Sequence, residues 1–189
     1  MNNKNRIFVA LEIPIVAKEY IYGLLLAIDK TGKIKWESQG KFHITLKFLG
    51  ETSVEKTNEV KNVLSDFVRN FQPFNMTLDR LGGFKRKGEY KILWAGFEEN
   101  NELKKAAEYL DNRLSEIGFE KEEKQFFPHI TLKRLKGNED KLVLEKFFTL
   151  NFEPLNFTAD TVTLFRSILK PSGAIYKAIE KYKLGDKNG

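Results

Sequence analysis

Apolar and polar positions along the chain fall into short blocks that change period. Arg6–Glu12 is an apolar run of strand length, and Ile15–Asp29 follows with helical spacing, ended near Gly32. Lys41–Leu49 alternates apolar and polar residues, the pattern of a half-buried strand, and Gly50 turns the chain. Thr52 and Glu55 read as a capping box opening a helix to about Arg69. Phe74–Leu81 reads as a strand broken by Gly82-Gly83. The order then recurs. Lys91–Phe97 is a strand, Asn101–Ile117 a helix ended by Gly118, Phe127–Leu135 a strand, Asn138–Phe148 a helix and Asp160–Ser167 a strand. After the Pro171-Ser172-Gly173 turn, Ala174–Lys183 is a last strand without a counterpart, suited to a hairpin with the strand before it.

The recurrence has one spacing. The only two histidines stand at positions 43 and 129, a spacing of 86, and each opens the same pentapeptide, His43-Ile44-Thr45-Leu46-Lys47 and His129-Ile130-Thr131-Leu132-Lys133. On average composition, two lone histidines share their next four residues by chance with odds of roughly one in 10⁴–10⁵. The same offset sets Ile7-Phe8-Val9-Ala10 on Leu93-Trp94-Ala95-Gly96, Met76-Thr77-Leu78 on Val162-Thr163-Leu164, and Arg80 on Arg166. No linker-like stretch separates the halves. The expectation is one α+β domain over residues 1–189, with an internal duplication of about 86 residues and interleaved lobes. The 189 residues and 41% hydrophobic content suffice for one packed core, with disorder expected only at Met1–Asn5 and Asp186–Gly189.

On a strand, residues two apart share a face. His43, Thr45 and Lys47 therefore project together, as do His129, Thr131 and Lys133. If an approximate two-fold axis relates the lobes, two imidazoles, two hydroxyls and nearby cations converge on one cleft. That set suits phosphoryl chemistry. An imidazole titrates near pH ~6.5, so one ring can accept a proton while the other donates one. The threonine hydroxyls can donate to non-bridging oxygens, whose charge must be held in the transition state. Other chemistries fit less well. Two histidines fall short of the three or four ligands of a zinc site, and neither motif places a carboxylate beside its histidine. No G-x-S-x-G elbow and no Walker-type loop is present.

Charge adds a little. The net charge of +6 and a pI near 9.3 favour anionic partners. Lys85, Arg86 and Lys87, with Lys41 and Lys124, are candidates to guide an RNA backbone, and Phe8, Phe48 and Trp94 are candidates to stack on a base. The chain has no cysteine, which excludes disulfides and thiolate metal sites and is compatible with a reducing cytoplasm. The sequence shows no signal peptide, no membrane-spanning segment and no heptad pattern, so a cytoplasmic monomer with no cofactor is the expectation.

The paired H-x-T-x motifs resemble the signature of the two-histidine (2H) phosphoesterase superfamily. Arg6-Ile7-Phe8-Val9-Ala10-Leu11, His43 through Gly50, Phe127 through Leu135, and Phe165-Arg166-Ser167 with Pro171, Gly173 and Tyr176 resemble its RNA 2′,3′-cyclic phosphodiesterase branch, the 2′-5′ RNA ligase or LigT/ThpR-like proteins. The resemblance implies a bilobal fold, with two pseudo-two-fold-related lobes whose antiparallel sheets line a central cleft and whose helices lie outside. It implies metal-independent hydrolysis of RNA 2′,3′-cyclic phosphate ends, or of cyclic nucleotides, to a 2′-phosphate. It also implies that His43 is the acid and His129 the base, roles that two near-identical motifs leave open on their own. Arg134 matches a basic residue that often follows the family's second motif, and its counterpart in the first unit is Phe48. Strict alternation turns Arg134 away from His129, so a phosphate contact requires the strand to end or twist there. Cleavage or joining of 2′-5′ linkages, and an RNA-binding module without turnover, are the competing readings.

Overall fold

A computed structural model describes residues 4–171 and 173–186. Ser172 of the expected turn, and residues 1–3 and 187–189 of the expected disordered ends, lie outside the described residues. The order is β1 (Asn5–Glu12), α1 (Ile15–Ile28), β2 (His43–Thr52), α2 (Val54–Asn70), β3 (Phe74–Arg86), β4 (Glu89–Phe97), α3 (Asn101–Glu116), β5 (His129–Arg134), α4 (Lys141–Thr149), β6 (Leu155–Ala159), β7 (Thr161–Lys170) and β8 (Gly173–Lys183). A single 3-10 turn, Gln39–Lys41, precedes β2. The fold class is α+β, as expected.

The strands form two antiparallel four-stranded sheets, β2-β1-β7-β8 and β5-β4-β3-β6. The first sheet joins β1 and β2 to β7 and β8 from the far end of the chain, and the second joins β4, β5 and β6 to β3. The edge strands β2 and β5, which carry the histidines, lie against each other. One face of each sheet lines the cleft between them. The opposite faces bury Ile7, Val9, Leu11 and Ile44 in one sheet and Leu93, Ala95, Phe97 and Ile130 in the other. The helices cover those faces. α2 packs on β8 and α3, α3 on β2, and α4 on β3 and α1. Their buried stripes follow helical spacing: Ala17, Ile21, Leu25 and Ile28 in α1, and Leu103, Ala106, Ala107, Leu110 and Leu114 in α3.

Several expectations need correction. β1 already begins at Asn5. The cap of α2 is Ser53, whose hydroxyl accepts from the Lys56 amide, while Thr52 is buried at the end of β2. Gly82-Gly83 does not break β3, which runs on to Arg86. A Cβ at Gly82 would overlap the Trp94 ring, and one at Gly83 would stand 2.5 Å from the Tyr90 ring. These glycines make room for aromatic rings laid across the sheet. The turn comes at Lys87-Gly88, both with positive φ (52° and 82°), between the paired residues Arg86 and Glu89. Lys85–Lys87 thus sits at a hairpin tip. The last strand does pair back on its predecessor, β8 on β7. Strand β6 is not marked by the sequence pattern, because five residues after Pro154 are too short a run to stand out.

Candidate active site

Two β-bulges set the face that each motif presents. Along β1, Ala10 pairs with Thr45 but the next residue, Val9, pairs with Lys47, so Leu46 is an extra residue in β2. Along β4, Trp94 pairs with Thr131 and Leu93 with Lys133, so Leu132 is the same extra residue in β5. Alternation therefore slips by one within both motifs. His43, Thr45 and then Phe48 face the cleft from one side, and His129, Thr131 and then Arg134 face it from the other. All six line one cavity of about 290 Å³.

The lysines turn the other way. Lys47 is buried, not in the cleft as expected: its Nζ donates to Asp111 Oδ1 and to the Glu120 carbonyl, each at 2.6 Å, and lies 3.3 Å from Glu122 Oε1. Lys133 donates to the Lys35 carbonyl at 2.9 Å. Neither is a free cation in the cleft. Phe8 also departs from expectation. It is 2% exposed and lies behind the first histidine, its ring 5.1 Å from that of His43 and 5.2 Å from that of Phe165, so it backs the imidazole and offers no face to a base. Trp94 lies over Gly82 and Gly96, against Phe84 and Phe127. Phe48 is 61% exposed and remains open to a ligand.

Each histidine sits in an aromatic nest. His43 is wedged between Phe8, Phe165 and Tyr176, and Phe84 meets His129 edge-on at 4.9 Å. Burial pushes the His43 pKa down to about 4, assisted by the positive charge of Lys18 and the neighbouring His129, and opposed by a hydrogen bond to the Lys41 backbone and by the Glu12 carboxylate. Burial also lowers His129, opposed by the Phe127 backbone and assisted by Arg134. The ring of His129 contacts the Phe127 carbonyl through Nδ1 at 2.9 Å. A carbonyl only accepts, so Nδ1 carries the hydrogen and Nε2 is the basic nitrogen of the neutral ring. Behind His43, Glu12 is its register partner on β1; the carboxylate accepts from Thr163 Oγ1 at 2.6 Å and pairs with Lys181. Burial would raise Glu12, but these partners prevail and hold it below the usual carboxylate range.

Sequence reasoning missed Phe84 and Glu37, which also line the cleft. Phe84 lay beyond the supposed break at Gly82-Gly83, and Glu37 pairs with Lys41, which lines the cleft as well. Lys124 faces a neighbouring cavity instead. Among the described residues, no group of three or more His, Asp or Glu side chains stands close enough to hold a metal ion, and no helix is long and apolar enough to cross a membrane.

The likeness to known proteins runs through this site. The family described as the 2′-5′ RNA ligase superfamily matches residues 36–170, a span that includes both histidine motifs. The RNA 2′,3′-cyclic phosphodiesterase of Thermotoga maritima is 36% identical over 176 residues, covering 92% of either chain. That of Methanocaldococcus jannaschii is 34% identical over 181 residues, covering 94% of this chain and 99% of its own. Among solved structures, TT0787 of Thermus thermophilus superposes with a TM-score of 0.80 at 25% identity, over 97% of this chain and 100% of that one. E. coli LigT, in its complex with 3′-AMP, shares the fold with a TM-score of 0.77 at 22% identity, over 97% and 100% of the two chains. With its fold, its paired motifs and its matched span in agreement, the chain belongs to the 2′-5′ RNA ligase superfamily.

Proposed function

We propose that this protein is a hydrolase that opens RNA 2′,3′-cyclic phosphate ends to 2′-phosphates, without a metal, by proton exchange between His43 and His129. The observation that carries this reading is the convergence of both imidazoles, both motif threonines and Arg134 on a single cavity of about 290 Å³. The names of relatives at 34–36% identity over most of the chain support the substrate class.

The chemistry divides among these side chains. His129, with Nδ1 tied to a carbonyl, takes a proton from water at Nε2. His43 gives one to the departing 3′ oxygen. Thr45 and Thr131 donate to the non-bridging oxygens, and Arg134 supplies the cation for them. Burial disfavours the charged form of both rings when no anion is beside them. A phosphodiester anion between them favours the imidazolium and counters that burial, which makes an acid available once substrate is bound. The chain's lack of cysteine accords with a cytoplasmic enzyme.

The test is an assay with EDTA present, offering 2′,3′-cyclic AMP and a short RNA with a 2′,3′-cyclic end, with 2′- and 3′-phosphate products resolved. Formation of the 2′-phosphate is the expected result. Activity that appears only on adding a metal would overturn the two-histidine mechanism, and no product from pH 5 to 9 would overturn the reading altogether. The family description favours one second activity, cleavage or formation of 2′-5′ linkages by the same proton exchange run in either direction. A panel of 2′-5′ and 3′-5′ dinucleotides separates the two.

A further inference from the structure

Beside the cleft lies a larger cavity of about 530 Å³, bounded by β2, α3 and the segment leading into β5. It shares Thr45, Phe48 and His129 with the cleft, so the two spaces meet at the second histidine. Its deep wall is apolar, formed by Leu46 and Ala107, which are buried. Two aromatic rings stand on it uncovered in part, Phe48 at 61% and Phe127 at 41% exposure, the latter with its other side against Phe84, Trp94 and His129. Proteins that hold single-stranded nucleic acid stack bases on aromatic side chains presented in this way.

Charge on the cavity wall points to a base and not to a phosphate. Lys47, Lys104 and Lys124 are balanced by Glu108, Asp111 and Glu122. Lys47 is already held by Asp111 and Glu122, and Lys104 by Glu99. A phosphate would meet no net positive charge, whereas an uncharged base would meet stacking faces and the donor and acceptor of the Gln125 amide. The volume lies within the roughly 300–1,000 Å³ of small-molecule sites.

Resting on the phosphodiesterase reading above, we infer that this cavity is a second base subsite. It takes the nucleobase of the nucleotide adjoining the one that carries the cyclic phosphate, so the enzyme grips an RNA end by two nucleotides. The inference commits to a covalent neighbour of the reacting nucleotide because the cavity opens on the cleft at His129 and Thr45.

The experiment compares kcat/KM for a 2′,3′-cyclic mononucleotide and for a dinucleotide with the same cyclic end. It uses the wild type and Glu108→Trp, which fills the cavity from the exposed side of α3, with Glu108→Gln as control. The wild type is expected to favour the dinucleotide by roughly tenfold or more. Glu108→Trp should lose that preference while its mononucleotide kcat/KM stays within about twofold, and Glu108→Gln should keep the preference. Mononucleotide hydrolysis by the wild type with no dinucleotide advantage would overturn the subsite alone, and that ratio decides even where Glu108→Trp fails to fold. An equal loss on both substrates in a folded Glu108→Trp would also overturn it. Hydrolysis of neither substrate by the wild type would overturn the phosphodiesterase reading, and the subsite with it.

Discussion

Leu46 and Leu132 are the same residue of the same bulge, each the unpaired position between a motif threonine and a motif lysine. The slip they introduce decides what the cleft contains. It withdraws Lys47 and Lys133 and brings in Phe48 and Arg134. Without it, two lysines would line the cleft, and the aromatic and the arginine would point away from it.

This relationship predicts opposite outcomes for neighbouring cations. Arg134→Ala should lower kcat/KM on a 2′,3′-cyclic substrate by roughly 10–100-fold, the loss of a charge-assisted phosphate contact. Lys133→Ala should change it by less than about threefold, since that side chain is spent on the Lys35 carbonyl. Comparable losses in the two variants would show that Arg134 does not touch substrate.

The proposed acid–base pair and the hydroxyls have separate signatures. His43→Ala and His129→Ala should each cost roughly 10²–10⁴ in kcat. Thr45→Val and Thr131→Val keep the strand and should each cost up to about 10²–10³. Full activity in either histidine variant would end the two-histidine mechanism.

Lys47 is structural. Replacing it with Met leaves Asp111 without its cation and frees the Glu120 carbonyl. Asp111 is part-buried and water can reach it, so removing its partner should destabilise the fold by roughly 1–3 kcal/mol, measured by urea unfolding. A loss under about 1 kcal/mol would mean that water replaces the ammonium at no cost.

The His43 ring should titrate at about 4 in the substrate-free protein, followed by its ring proton resonances. Glu12→Gln removes a charge that favours the imidazolium, so the variant should titrate lower still. A depressed folded pKa also links to stability. The unfolded ring binds its proton near pH ~6.5 and the folded one near 4, so this contribution is present above about pH 6.5 and is lost as pH falls through the folded value. A ring that titrates at an ordinary value would contradict its burial among Phe8, Phe165 and Tyr176.

Gly82→Ala should destabilise by roughly 1–3 kcal/mol, because the new methyl overlaps the Trp94 ring and forces it off its seat. Pairing it with Trp94→Leu should recover most of that loss in denaturant melts.

Much of the site was legible in the chain itself. Two histidines with one shared pentapeptide are a local and repeated signal, and the alternation around them placed both on strands. The helices were legible to within a few residues; at the start of α2, Ser53 displaced Thr52 as the cap because the strand β2 runs three residues past Leu49. Phe84 was hidden by the glycine pair, since a glycine that ends a strand and one that clears space for a neighbouring ring look the same in sequence.

The sequence by itself determined the order of the helices and of every strand but β6, the two repeated histidine motifs and the α+β class, because these rest on periodicity and on residue chemistry along a few consecutive positions. Only the tertiary structure decided which face each residue after the threonines presents. A bulge is set by pairing with β1 and β4, strands distant in the chain from the motifs they hold, and one unpaired residue reverses the side chains that directly follow it. The same holds for the depressed histidine pKa values and the second cavity. Both arise from what packs around a residue, and that is a property of the closed fold and not of the neighbours in the chain.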